Sequence, residues 1–221
     1  MRIVTEILRP FVWLFCRIFF RIRFAGVENV PSNGSCLITP NHSTFADPIW
    51  ITIPLHRMVH YMAWDRPFQI PVLGLLMRIF GAFPVKLESA DASAQREAIE
   101  LLKRGKALVI FPEGGRTKTG ELMPFKMGAF RLATTLGIPV VPVAIEGGHE
   151  IWPPGQLLPR PGRLKITYLP AIRIQPFGEA SKNAELKQHV RVLAGKTRDE
   201  IGRILTGLDI AARPSENTSG D

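Results

Sequence analysis

Two short loops in this sequence hold residue types that do chemistry. The first reads Asn41-His42-Ser43-Thr44-Phe45-Ala46-Asp47-Pro48. On a regular helix, His42 and Asp47 would point roughly 140° apart, at ~3.6 residues per turn. Pro48 disfavours helical geometry at Asp47 and suits the first position of a following helix. Residues 42–47 are therefore expected to form a compact turn in which the two side chains meet. A carboxylate bonded to one imidazole nitrogen fixes the tautomer and leaves the other nitrogen to take a proton from a hydroxyl. No protein nucleophile is then needed. The pair also has a plainer explanation: Asp47 as a helix cap and His42 as a hydrogen-bonded turn residue.

The second loop reads Phe111-Pro112-Glu113-Gly114-Gly115-Arg116-Thr117. Adjacent glycines let backbone N–H groups approach a phosphate or an oxyanion. The Arg116 fork matches phosphate oxygens, and Lys118 and Lys126 add positive charge nearby. No Gly-x4-Gly-Lys-Ser/Thr run occurs, so this is not a nucleotide-binding P-loop. Taken alone, such a turn is a solvated surface loop.

Both loops follow short apolar runs, 35–39 and 107–111, that read as buried strands. If the two strands are parallel members of one sheet, both loops open on the edge where such folds bind ligands. Helices are expected over 48–55, over 91–104 with Asp91 or Ser93 as cap, over 128–136 closed by Gly137, and over 184–204. Residues 67–83, broken by Pro71, Gly74 and Gly81, read as a packed helix or a second membrane contact. Residues 140–145 and 164–174 read as further strands. Pro142 predicts that the first of these is irregular or near an edge. Strands alternating with helices imply an α/β fold, mainly a parallel sheet with helices on both faces. The expected organisation is an N-terminal membrane-associated helical segment over 1–25, one domain over 26–206, and a disordered tail over 207–221.

With 221 residues, 46% of them apolar, the chain can bury a real core. Its 28 basic residues against 19 acidic ones leave a net charge of +9, which favours an anionic partner. The N-terminus points to a membrane surface rather than nucleic acid. Residues 10–20 are nearly all apolar, with Arg17 inside and Arg2, Arg9, Arg21 and Arg23 around them, and only Glu6 opposes these arginines. The run is shorter than the ~20 residues that span a bilayer and fits a helix lying in the interface. A helix packed in the core and a secretory signal are the competing readings; the signal lacks a small-x-small cleavage site. Nucleic-acid binding would place the basic residues on a polar face. Cys16 and Cys36 sit in apolar runs without metal-ligand spacing, and read as buried free thiols of a reducing compartment.

Taken together, Asn41-His42-x4-Asp47 and Phe111-Pro112-Glu113-Gly114-x-Arg116 resemble the signature of the bacterial 1-acyl-glycerol-3-phosphate (lysophosphatidic acid) acyltransferase family. Ile70-Pro71-x-x-Gly74 through Gly81-Ala82 is similar to that family's middle stretch. Pro124-Phe125-Lys126-x-Gly128-Ala129 and Ile138-Pro139-Val140-Val141-Pro142-Val143 are similar to its later blocks. The resemblance covers residues 26–168 in the family's order. It implies an enzyme moving a fatty acyl group from an acyl-coenzyme A or acyl carrier protein thioester, as co-substrate, to a free lysolipid hydroxyl. The product would be phosphatidic acid.

In this carry-over His42 is the base and Asp47 orients it. Glu113, Gly114 and Arg116 belong to the acceptor site. Beside the resemblance, the loop itself adds Gly115, with backbone N–H groups near Gly114 for the oxyanion, and Lys86 or Lys126 as help at the phosphate. The Pro142 block is associated with the acyl chain or acyl donor. No cofactor, metal or nucleic acid is implied. The partners are membrane lipids, the lysophosphatidic acid-like acceptor and the acyl donor. The place is the inner face of the cytoplasmic membrane, peripheral or monotopic.

Two positions depart from the family pattern. Gly115 stands where Thr or Ser is usual, and Leu87, after Lys86, stands where a basic residue is usual. These keep open another acceptor, such as a lyso-ornithine lipid or glycerol-3-phosphate. A non-catalytic lipid-binding protein and a thioester hydrolase are the readings outside this class.

Overall fold

The structure, a computed structural model, describes residues 2–86, 91–174 and 183–207. Leu87 and the expected tail beyond Gly207 lie outside the described residues. Seven strands form one sheet: β1 (Arg23–Ala25), β2 (Cys36–Pro40), β3 (Val59–Trp64), β4 (Ala82–Val85), β5 (Ala107–Val109), β6 (Val140–Glu146) and β7 (Lys165–Tyr168). Their spatial order is β1-β7-β6-β2-β5-β3-β4. All neighbours are parallel except β6 and β7. The helices are α1 (Arg2–Phe19), α2 (Asp47–Thr52), α3 (Pro71–Ile79), α4 (Ala92–Lys103), α5 (Gly128–Leu136), α6 (Gly148–Ile151) and α7 (Asn183–Leu205).

The two-residue period of the strands divides the core into two layers. Cys36 and Ile38 of β2 face the layer holding Cys16, Phe20, Trp50 and Ile51 from the α1 and α2 side. Leu37, between them, faces Ala98, Phe130 and Ile201 of α4, α5 and α7. The central strands are thus covered on both faces, which is why they read as continuous apolar runs. Strands β1, β3 and β4 were not legible. β1 lies inside the arginine-rich segment, so the stretch expected to end at residue 25 runs on into the sheet. β4 carries Pro84, tolerated because β4 is an edge strand.

Pro142 lies in β6, third from the edge, so it is not near an edge as expected. The irregularity falls on its partner instead. Val143 pairs with Tyr168 and Val140 with Ile172, so two residues of β6 face three residues after β7. This bulge spares Pro142 the N–H it lacks, while its carbonyl accepts from Leu169 N–H at 2.9 Å. The strand expected over 164–174 is accordingly shorter. The helix ends follow their local signals. Asp91 caps α4 by accepting from Ser93 and Ala94 N–H, and Gly137 closes α5 with φ 63°.

Helix α1 packs through Val12, Cys16 and Phe19, with Phe20 just beyond its end, while Phe11, Trp13, Leu14, Phe15 and Ile18 remain exposed. α3 touches α1 and exposes Val72, Leu73, Leu75 and Leu76. Each such side chain forgoes roughly 1.5–3 kcal/mol that full burial would give. Among the described residues no helix is long and apolar enough to cross a membrane.

Candidate active site

Parallel β2 and β5 are adjacent, with Ile38 opposite Val109, so their carboxyl-end loops lie side by side. Residues 42–47 form the expected compact turn. Asp47 is fully buried. Its Oδ2 accepts from His42 Nδ1 at 2.8 Å and from the N–H groups of Ser43 and Thr44 at 2.7 and 2.9 Å. Its Oδ1 accepts from Thr44 Oγ1 at 2.7 Å. A carboxylate only accepts, so His42 Nδ1 carries a proton and Nε2 is the basic nitrogen. Asp47 opens α2, but Ala46 is the capping residue and makes no side-chain cap bond. The carboxylate thus pins the turn before it rather than capping the helix after it.

His42 is otherwise held by its backbone and by the face of its ring. Its N–H donates to Glu113 Oε1 at 2.8 Å, and its carbonyl accepts from Thr117 N–H at 2.8 Å. Its ring stacks on Phe111, with centroids 3.9 Å apart. Just before it, Asn41 clamps Ile145 of β6 through both backbone groups, at 3.0 and 2.7 Å. This clamp ties the turn to the strand on its other side.

In the second loop, Glu113 is buried, and its other oxygen accepts from Met123 N–H at 3.1 Å. Burial pushes its carboxyl up to about 7, against the two N–H bonds that lower it; nearby Asp47 raises it further, and Arg198 lowers it. Both Glu113 oxygens therefore join loops, and Arg198 of α7 holds the Met123 carbonyl at 3.2 Å.

Gly114 has φ 72°, and a Cβ there would overlap the Lys126 side chain, which lies across it. Its N–H closes the turn onto the Phe111 carbonyl at 3.1 Å and so does not face the oxyanion. The N–H groups of Gly115 and Arg116 have no acceptor among the described residues. The Arg116 guanidinium lies 3.4 Å from the centroid of Phe45, a residue of the His42–Asp47 turn. Burial lowers the Arg116 pKa, partly offset by the Asp47 charge.

The fold thus brings together His42, Asp47, Glu113, Gly114, Gly115, Arg116 and Lys126. Lys86 is exposed at the end of β4, on the same edge of the sheet. It lies three strands from β2, roughly 14 Å at ~4.8 Å per strand. Its N–H donates to Asp91. Thr44, Phe45, Phe111 and Arg198 also build the site, beyond the residues the sequence singles out. Thr44 and Phe45 lie inside the first motif, and Phe111 opens the second. Arg198 has no local signal. Among the described residues no group of three His, Cys, Asp or Glu side chains is placed to hold a metal ion. Cys16 and Cys36 are buried free thiols, both pushed up to about 11 by burial, and neither lies in these loops.

The half-buried His42 on buried Asp47, beside a glycine-arginine loop, thus stands at the carboxyl edge of the sheet. The Acyltransferase family matches residues 21–146, and the chain belongs to that family. It is 36% identical over 140 residues to the chloroplastic 1-acyl-sn-glycerol-3-phosphate acyltransferase BAT2 of Brassica napus, covering 62% of this chain and 40% of that protein. It is 35% identical over 134 residues to the 1-acyl-sn-glycerol-3-phosphate acyltransferase of Bacillus subtilis, covering 59% of this chain and 66% of that one. The chain therefore spans 40% to 66% of the length of these relatives. The crystal structure of the 1-acyl-sn-glycerophosphate (LPA) acyltransferase from Thermotoga maritima is similar at TM-score 0.64 and 26% identity. The similarity covers 89% of this chain and 82% of that one.

Proposed function

We propose that this acyltransferase moves a fatty acyl group from an acyl thioester to the free hydroxyl of 1-acyl-glycerol-3-phosphate, forming phosphatidic acid. The observation that carries the reading is the 2.8 Å bond from His42 Nδ1 to fully buried Asp47, beside the Arg116 loop. His42 Nε2 takes the hydroxyl proton as the oxygen attacks the thioester carbonyl. Asp47 stabilises the imidazolium. The Gly115 and Arg116 N–H groups stabilise the tetrahedral oxyanion. The C–S bond then breaks, and the departing thiolate takes the proton from His42. Arg116 holds the acceptor phosphate and sets the reacting distance, with Lys126 beside it. The donor is acyl-coenzyme A or acyl carrier protein.

The exposed apolar faces of α1 and α3 suit a bilayer surface. We place them at the inner face of the cytoplasmic membrane, where the acceptor and product already reside. Leaving the long chains in lipid saves ~0.8 kcal/mol per methylene. Mass spectrometry of products from purified protein, mixed acyl donors and mixed lysolipids tests the reading. Phosphatidic acid is the expected product, and free fatty acid alone would contradict it. A different preferred lysolipid would support the second reading, which rests on Gly115: its side is open, with nothing within 4 Å of an added Cβ.

A further inference from the structure

A second concentration of charge lies outside both loops. Arg21, Arg23, Arg163 and Lys165 line a concavity of about 520 Å³ together with Glu146 and Gly147. Glu146 is the only acid among these residues, and it meets Lys165 at 3.1 Å. Arg21, Arg23 and Arg163 have no carboxylate partner among the described residues.

Backbone structure holds the cluster in place. Arg23 is in register with Lys165 across the β1–β7 pair. Leu164 N–H donates to the Phe20 carbonyl at 3.1 Å, and Arg23 N–H to the Leu164 carbonyl at 2.9 Å. Gly147, at φ 84°, lets its turn lie against the Arg163 carbonyl, where a side chain would overlap. Arg21 is held at φ 44°, a left-handed conformation unfavourable for a residue with a Cβ.

Exposed apolar side chains precede both of the chain segments that supply its arginines. α1 ends at Phe19 with Phe15 and Ile18 exposed, and the loop leading to Arg163 exposes Leu157 and Leu158. The concavity opens on the catalytic edge of the sheet. Glu146 follows Ile145, which Asn41 clamps next to His42. Arginine forks suit phosphate oxygens, and the size is that of a small-molecule site.

We propose that this concavity binds the headgroup phosphate of a bilayer phospholipid that is not the reacting acceptor, and so fixes how the catalytic edge meets the membrane. The proposal rests on the membrane-surface reading above. Charge complementarity and the flanking apolar side chains favour a lipid over the phosphates of a soluble acyl donor.

The test is cosedimentation of the full chain with phosphatidylcholine vesicles, with and without phosphatidylglycerol. The variant Arg23→Gln/Arg163→Gln is compared with Lys103→Gln/Lys106→Gln, at the opposite edge of the sheet. The pocket pair should lose about tenfold to thirtyfold in partitioning onto phosphatidylglycerol vesicles, and the control pair less than about threefold. Turnover of a short-chain soluble acceptor should stay within about twofold of the parent in both, which shows that they fold. Arg21→Gly/Lys165→Gln is the second variant should the first not fold; glycine accepts the left-handed conformation without strain. Equal losses in the two pairs would overturn the proposal, as would a higher KM for the acyl donor with unchanged vesicle binding. A parent chain that binds neither vesicle would overturn the membrane reading itself, and this proposal with it.

Discussion

The two loops at the carboxyl edge differ in how their polar groups are satisfied. In the turn after β2, Asp47 accepts four hydrogen bonds from within its own loop and is fully buried. In the loop after β5, Glu113 is also engaged, but by N–H groups from outside that turn, those of His42 and Met123, and the Gly115–Arg116 segment is not engaged. Its N–H groups have no acceptor among the described residues, and Arg116 rests on the Phe45 ring. A group that must transfer a proton needs a fixed position before substrate arrives. A group that must bind an anion needs unfilled donors. In the proposed reaction the same edge supplies both, because β2 and β5 are adjacent and parallel.

The difference can be broken most sharply at His42. His42→Ala should lower turnover by ~10²–10⁴-fold while the melting temperature stays close to that of the parent, because the imidazole acts on the hydroxyl more than on the core. Near-normal turnover in a folded variant would remove His42 from the reaction. Arg116→Ala should cost about 1.5–3 kcal/mol of transition-state binding, roughly 10–150-fold in kcat/KM, for phosphate-bearing acceptors only. Unchanged acceptor dependence would place the phosphate elsewhere.

Thr44→Val tests whether the saturation of the first loop matters. It strips Asp47 Oδ1 of its donor and Ala46 N–H of its acceptor. About 1–2 kcal/mol, or roughly tenfold in kcat with KM little changed, is the expected effect. Thr44→Ser should restore it, and a loss that serine does not rescue would point to packing instead.

The smallest effect concerns Glu113. Its carboxyl is pushed from the ordinary 4.5 up to about 7 by burial. Between those values the folded chain keeps a proton that the unfolded chain has lost, so unfolding releases it. Stability should therefore fall as pH rises through that window. Glu113→Gln should flatten this slope in melting temperature against pH; parallel curves would show that another group sets it.

Legibility from sequence followed locality. The His42–Asp47 meeting, the Asp91 cap and the Gly137 stop are each set within a few residues, where proline, carboxylate and glycine signal their geometry directly. β1 and β4 are edge strands whose pairing is decided by distant segments, and an arginine or a proline masks each. Pro142 misled because its missing N–H is accommodated by an extra residue near position 170, which no pattern around β6 reveals. Within the site, the type and place of Glu113 were legible, but not that its oxygens join two loops. That depends on Met123, and Arg198 reaches the same residue from a helix far along the chain.

The division of labour between the two loops is tested most directly by crossing the variants with two acceptors, 1-acyl-glycerol-3-phosphate and the corresponding 1-acylglycerol without phosphate. The measurement is the initial rate of ester formation, with thiol release followed alongside, for the parent, His42→Ala and Arg116→Ala. The account predicts that His42→Ala loses transfer to both acceptors alike. Arg116→Ala should lose the parent's preference for the phosphate-bearing acceptor and keep its slow transfer to the other. If Arg116→Ala keeps the full preference, or His42→Ala still esterifies either acceptor at the parent rate, the assignment of base and phosphate site to these loops is wrong.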